Sequence, residues 1–144
     1  MNGGMYVIIA GCGRVGSRMA RRLVEEGHDV VVIDDDRRSF ILLGDDFSGH
    51  RVVGAAIDWD VLRKAGIEGA DAFAAVTDGD NTNIICALIA QRAFEVPCAV
   101  ARVYDPRRAR AFARMGLRTV CPTNDAEDAM VDAIHACPEP GAGV

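Results

Sequence analysis

Four apolar residues, Val7-Ile8-Ile9-Ala10, run directly into Gly11-Cys12-Gly13-Arg14-Val15-Gly16, and Asp34 follows at the end of the next apolar run, eighteen residues after Gly16. This pattern constrains the fold more tightly than any other in the chain, because each glycine answers a different steric demand. Gly11 permits the sharp turn off a strand, Gly13 lets backbone N–H groups approach a pyrophosphate, and Gly16 lets the following helix lie close to the strand. The helix that opens here points unpaired N–H groups and its positive dipole end at bound phosphate. Asp34 stands where a carboxylate accepts hydrogen bonds from both ribose hydroxyls. A Gly-x-Gly-x-x-Gly run alone is weak evidence; with its strand, its helix and its acid it describes an adenine-nucleotide cradle.

At 144 residues the chain has the length of one domain, with enough material for a real core and no room for a separate catalytic domain. Half of it is hydrophobic and 26% charged, the balance of a soluble globular protein. A formal net charge of -5 argues against a nucleic-acid surface. No apolar run approaches the ~20 residues of a membrane span, and no secretory signal opens the sequence; the expected location is cytoplasmic. Cys12, Cys86, Cys98, Cys121 and Cys137 form no Cys-x-x-Cys pair and no ligand set with histidine. Cys86, Cys98 and Cys121 read as small buried hydrophobes. Cys12, at a helix N-terminus, is placed where a thiol pKa tends to fall. Asp34-Asp35-Asp36 are better assigned to ribose, capping and solvation than to a metal.

Strand-like and helix-like patterns alternate throughout. Tyr6–Ala10 is the first strand, followed by a helix from Arg14 to Glu26 that buries Val15, Met19 and Leu23. Val30–Ile33 is a second strand, Arg37–Leu43 a second helix, and a third strand lies around Arg51–Val53. Asp58 caps a helix running to Ala65, with Gly66 as its stop. Ala72–Val76 is the fourth strand, followed by a long apolar helix from Thr82 to Phe94. Ala99–Val103 is the fifth strand, Pro106 opens a helix to Met115, and Thr119–Cys121 is a short sixth strand. Asp125–Ala136 is the last helix, and Pro138–Val144 a disordered tail, so the domain spans 1–137. Six βα units with near-continuous apolar strands predict a Rossmann-like doubly wound parallel sheet, order 3-2-1-4-5-6.

Beyond the fingerprint, several segments resemble the RCK/KTN (TrkA-N) family, the cytoplasmic regulators of K+ channels and transporters. They are Val53-Gly54 with Asp58-Trp59-Asp60-Val61-Leu62-Arg63-Lys64-Ala65-Gly66-Ile67; Ala70-Asp71-Ala72-Phe73-Ala74-Ala75-Val76-Thr77 continuing to Asn83; Ala101-Arg102-Val103; and Val120-Cys121-Pro122-Thr123. The likeness covers Met5 to Ala136. It implies a Rossmann-like domain that binds NAD(H), ADP/ATP or AMP and performs no catalysis. It also implies a homodimer or higher ring formed through the last helix, Asp125 to Ala136, whose geometry changes with the bound nucleotide and gates a membrane K+ channel or transporter subunit. By position, the resemblance assigns the nucleotide to Gly11, Cys12, Gly13, Arg14, Val15 and Gly16, with Asp34 at the ribose, Asp35 beside it in the site and Arg14 near the terminal phosphates. Thr77, Asp78, Asn83 and Arg102 would complete the crevice.

Two departures stand out. The family's usual Gly-Asp is Gly54-Ala55 here, which removes a carboxylate near the adenosine and leaves backbone contacts from Ala55 and Ala56. The smaller C-terminal subdomain of such proteins is also missing from these residues, as in a piece of a longer protein or in a minimal stand-alone regulator. The rival reading is a small NAD-dependent oxidoreductase, since Asp34 favours NAD over NADP. Against it, Tyr6 and Tyr104 are the only tyrosines and Lys64 the only lysine, and nothing assembles them into an acid–base set. Arg107, Arg108, Arg110 and Arg114 read as a solvated helix face. Ala129, Met130, Ala133, Ile134 and Cys137 make one apolar stripe, for the chain's own core or, preferably, for a partner subunit. Trp59 reads as packing rather than as an adenine stack.

Overall fold

Runs of branched apolar residues with few polar interruptions can be buried on both faces only if helices cover both sides of a sheet. The computed structural model, which describes residues 3–141, has this arrangement. Its elements are β1 (Tyr6–Ala10), α1 (Arg14–Glu25), β2 (Asp29–Asp34), a 3-10 helix (Arg37–Leu43), β3 (His50–Val53) and α2 (Trp59–Lys64). A 3-10 turn (Ile67–Gly69) leads to β4 (Ala72–Ala75) and α3 (Asp80–Leu88), which widens into a π turn (Ile89–Ala93). β5 (Cys98–Arg102), α4 (Pro106–Arg114), β6 (Arg118–Val120) and α5 (Pro122–His135) complete the chain.

The six strands form one parallel sheet in the order β3-β2-β1-β4-β5-β6, as the sequence predicts. Ile8 is in register with Val31 on one side and Phe73 on the other. Side chains alternate across the sheet. Ile8, Ala10, Val31, Ile33 and Phe73 enter the core shared with α2 and α3. Val7, Ile9, Val30 and Val32 enter the opposite core, with Phe40, Leu43 and Phe47.

Local signals set most boundaries. The Asp58 carboxylate accepts the Asp60 N–H at 2.9 Å and starts α2. Asp105 accepts the Arg107 N–H and Pro106 opens α4. Trp59 packs on Phe94, ring centroids 5.1 Å apart, with the Arg63 guanidinium over both rings. Of the expected tail, residues 142–144 lie outside the described residues.

One packing expectation is corrected. The face of α1 that meets the sheet is Gly16, Ser17 and Ala20, while Met19 and Leu23 are partly buried and Val15 is 45% exposed. The helix lies too close to the strands for anything larger: a Cβ on Gly16 would stand 1.9 Å from the Gly11 carbonyl oxygen. The helix beginning at Pro122 buries none of its residues, so its apolar stripe is not part of the chain's own core.

Gly16→Ala therefore forces α1 off the sheet. We expect urea unfolding to show a loss of at least about 2 kcal/mol, the scale of overpacking a tight contact, where Gly13→Ala leaves stability nearly unchanged.

Candidate nucleotide-binding crevice

The chain leaves β1 toward one face of the sheet and β4 toward the other, so a crevice opens between their carboxyl ends. Gly11 turns the chain there. Its φ of +109° lies where side-chain-bearing residues are strained, and a Cβ would stand 2.7 Å from the Val76 carbonyl oxygen. Its N–H donates to the Ile33 carbonyl at 2.8 Å, tying the loop to the end of β2. Gly13 has an ordinary φ of -86°, and a Cβ on it would meet no atom within 4 Å. The space over Gly13 is open. Gly13 is also the N-cap of α1, with no side chain bonded to the helix end and no acid in the first turn. The first N–H groups of α1 are left for an external acceptor.

Asp34 stands at the end of β2. One carboxylate oxygen accepts the Cys12 N–H and the other the Asp36 N–H, each at 2.8 Å. This fixes the carboxylate beside the glycine loop, and each oxygen keeps a lone pair for a further donor. Asp36 accepts the Arg38 N–H at the start of the 3-10 helix, and hydrogen bonds from the Arg38 side chain and backbone lower its pKa.

Cys12 runs against expectation. Its side chain is fully buried and its Sγ donates to the Ser39 carbonyl at 3.4 Å. Burial first, then the neighbouring Asp34 charge, push its pKa up to about 11, with Arg51 opposing. The thiol is a packing element on which loss of water outweighs the helix end.

On the β4 side, Asn83 is fully buried and uses both ends of its amide. Its Oδ1 accepts the Thr77 N–H at 2.8 Å and the Thr77 hydroxyl at 2.6 Å. Its Nδ2 donates to the carbonyls of Thr77 at 3.0 Å and Arg102 at 2.9 Å. One side chain thus fastens the turn after β4 to the end of β5. The Arg102 guanidinium donates to the Val76 and Thr77 carbonyls at 3.2 and 2.9 Å and lies 4.9 Å from the Tyr104 ring centroid. Its Nε is buried without a partner.

The crevice encloses about 550 Å³ and brings together Gly11, Cys12, Gly13, Asp34, Asp35, Ala55, Ala56, Thr77 and Asp78. Asp36, Ser39, Gly54, Ile57, Val76, Gly79 and Thr82 join them although the sequence reading did not select them. Their signal was topological: each lies near the carboxyl end of a strand, where ligands bind in such sheets. Five of the expected residues do not form the lining. Asn83 and Arg102 stand behind it, holding Thr77, and Gly16 is packed under the loop. The Arg14 and Val15 side chains line a separate groove on the outer face of α1, so only their backbone lies at the helix start. Asp34, Asp35, Asp36 and Asp78 give the lining four carboxylates; the lining itself carries no Lys, Arg or His, and Asp36 is paired from outside it by Arg38 at 3.1 Å. No cluster of potential metal ligands occurs among the described residues.

Fold and crevice define a class: a doubly wound α/β domain with a dinucleotide-type crevice at its switch point. Within that class the TrkA-N domain model matches residues 7–123, and the chain belongs to this family. It is 51% identical over 127 residues to the Trk system potassium uptake protein TrkA of Streptomyces coelicolor, covering 88% of this chain and 57% of that protein. It is 39% identical over 108 residues to a TrkA homolog of Pyrococcus abyssi, covering 75% and 48%. The chain thus spans about half the length of these curated relatives. Among solved structures it resembles the Shewanella denitrificans Kef CTD in AMP-bound form, with TM-score 0.73, 26% identity and coverage of 90% of this chain and 80% of that one. It shares its fold with the GsuK channel bound to NAD, with TM-score 0.68, 22% identity and coverage of 83% and 21%.

Thiol chemistry checks the placement of the cysteines. Exposed Cys137 should react first with a disulfide reagent at pH 8, and Cys12 and Cys86 only on unfolding. Burial holds the Cys86 thiol up at about 12 and Cys12 at about 11, against an ordinary value of 9.0. A raised folded pKa contributes stability that is fully present below the unfolded pKa and is lost as pH rises through the folded one. Denaturant stability should fall between pH 9 and 11, and Cys12→Ala should flatten that fall.

Proposed function

We propose that the crevice binds NAD(H) or an adenine mono-, di- or triphosphate, and that the chain is a nucleotide-sensing regulatory subunit or domain of a K+ transport system. The observation that carries this reading is the uncapped start of α1 over open space at Gly13, beside the fixed carboxylate of Asp34. The N–H groups suit a phosphate and the carboxylate suits ribose hydroxyls. Backbone at Ala55 and Ala56 adjoins the base, and Thr77 and Asp78 close the far side. The relatives' potassium-uptake role, the AMP in the Kef structure and the NAD in the GsuK structure support the assignment.

The charge of the lining favours ligands with few phosphate charges. Four carboxylates, of which only Asp36 is paired with a cation, disfavour ATP relative to NAD(H) or AMP. The lining also carries no Tyr, Lys or His to exchange a proton with a substrate, which supports a sensor over the NAD-dependent oxidoreductase. No helix among the described residues is long and apolar enough to cross a membrane. In this reading the chain acts from the cytoplasmic side, through a separate channel or transporter subunit. Its exposed α5 pairs it with a second copy, and a nucleotide that prefers one pair geometry shifts the population toward it.

Calorimetric titration with NAD+, NADH, AMP, ADP and ATP at matched salt and Mg2+ tests the site. Micromolar binding of at least one, without turnover, is expected, with ATP weakest in the absence of Mg2+. Asp34→Ala should weaken binding about tenfold or more through lost charge-assisted hydrogen bonds, and Gly13→Val should abolish it. Unchanged affinity in both variants, or no binding by the parent chain, would overturn the assignment.

A further inference from the structure

We propose that the Asp78 N–H is a second phosphate seat in the crevice, across from the start of α1, and that Arg102 is the residue that positions and charges it. This rests on the reading of the crevice as a nucleotide site and adds to it a donor for a second phosphoryl group.

The donor follows from peptide geometry. The Thr77 carbonyl accepts the Arg102 Nη2 at 2.9 Å and the Asn83 Nδ2 at 3.0 Å, which occupies both of its lone pairs. No peptide bond among the described residues is cis, so the N–H of the same peptide, that of Asp78, points away from both donors. The two side chains stand behind the lining and Asp78 belongs to it, so this N–H is directed into the crevice. It has no acceptor among the described residues. Its neighbours are taken: the Thr77 N–H bonds to Asn83 Oδ1 at 2.8 Å, and the Gly79 N–H to the Thr77 hydroxyl at 3.4 Å. Two donors on one carbonyl also polarise the peptide and strengthen its free N–H. The Asp78 side chain is exposed, which lets its carboxylate turn to water.

Arg102 brings a charge as well as a hydrogen bond. It takes part in none of the ion pairs among the described residues, its Nε is buried without a partner, and its guanidinium lies 4.9 Å from the Tyr104 ring centroid. Nearby Arg108, by contrast, is paired with Asp80 at 3.8 Å. A half-buried cation without a counter-charge is unfavourable. A phosphate on the Asp78 N–H supplies that counter-charge from the other side of a single peptide.

The sheet order assigns the seat to one part of the ligand. Asp34 ends β2, the glycine loop leaves β1 and Thr77 follows β4, and these strands lie side by side as β2-β1-β4. A nucleotide with its ribose on Asp34 and its first phosphate at the start of α1 reaches the Asp78 N–H only with a second phosphate. AMP stops short of it; ADP and NAD+ do not.

Calorimetry of the whole chain with AMP, ADP and NAD+ tests this, with circular dichroism and urea unfolding confirming that each variant folds. Arg102→Met should weaken ADP and NAD+ by about tenfold and AMP by less than about threefold. Arg102→Lys, which keeps the charge, should recover most of that loss. A residue that only braces the turn would lower all three ligands alike, and that result overturns the proposal. So does a lysine variant as weak as the methionine one. Amide NMR of the parent chain needs no variant: the Asp78 N–H should move clearly more with ADP than with AMP, and equal movement, or none, overturns the proposal. The two readings fail differently. If Asp34→Ala weakens AMP and ADP while Arg102→Met leaves both unchanged, the crevice is a nucleotide site and only the second seat is wrong. If the parent chain binds none of the three, both are wrong.

Discussion

The contact on which everything else depends is the one between the start of α1 and the ends of β1 and β4. Gly11 turns against the Val76 carbonyl, and the Gly16 backbone rests on Gly11 with no room for a methyl group. That closeness sets the direction of α1 and brings its N-terminus to the only place in the sheet where neighbouring strands send their connections to opposite faces. It also makes a small-residue face, Gly16, Ser17 and Ala20, the buried face of the helix. The arginines and Val15 are turned outward by the same geometry. The crevice and the outer groove are thus two consequences of one steric constraint.

Around that contact the polar groups divide the work. Asp34 spends one hydrogen bond on each side of itself to hold the loop and the turn into the 3-10 helix. Asn83 spends all of its bonds behind Thr77, so the turn after β4 is held from the inside. Buried amides satisfied this completely rigidify what they touch. The surface left facing the crevice joins backbone, hydroxyl and carboxylate to the apolar side chains of Ala55, Ala56, Ile57 and Val76, with the positive potential supplied by the helix start rather than by a cationic side chain of the lining.

The parallel sheet, its order, the turn at Gly11, the close packing at Gly16, the cap at Asp58 and the packing role of Trp59 were all readable from the chain. They depend on local chemistry or on periodicity, which a sequence displays directly. The less readable features depend on what stands opposite a residue in space. Val15 falls on the expected helical stripe and is exposed, because the approach at Gly16 rotates the buried face away from the largest side chains. Cys12 has the position of a reactive thiol, but burial and the Asp34 charge reverse the direction of its pKa. Asn83 and Arg102 lie at the right distance along the chain for ligand contact, and only the third dimension shows them behind the lining. An apolar stripe on α5 was visible, but whether a stripe faces its own core or another molecule is not a local property.

The most direct test of the central claim is an amide NMR map of the chain titrated with NADH. If the start of α1 is the phosphate seat, the largest shifts fall on the N–H groups of Gly13 and Arg14, with smaller ones at Cys12, Ala55 and Asp78. Saturable shifts confined to the outer groove of α1, or none in the glycine loop, would contradict it.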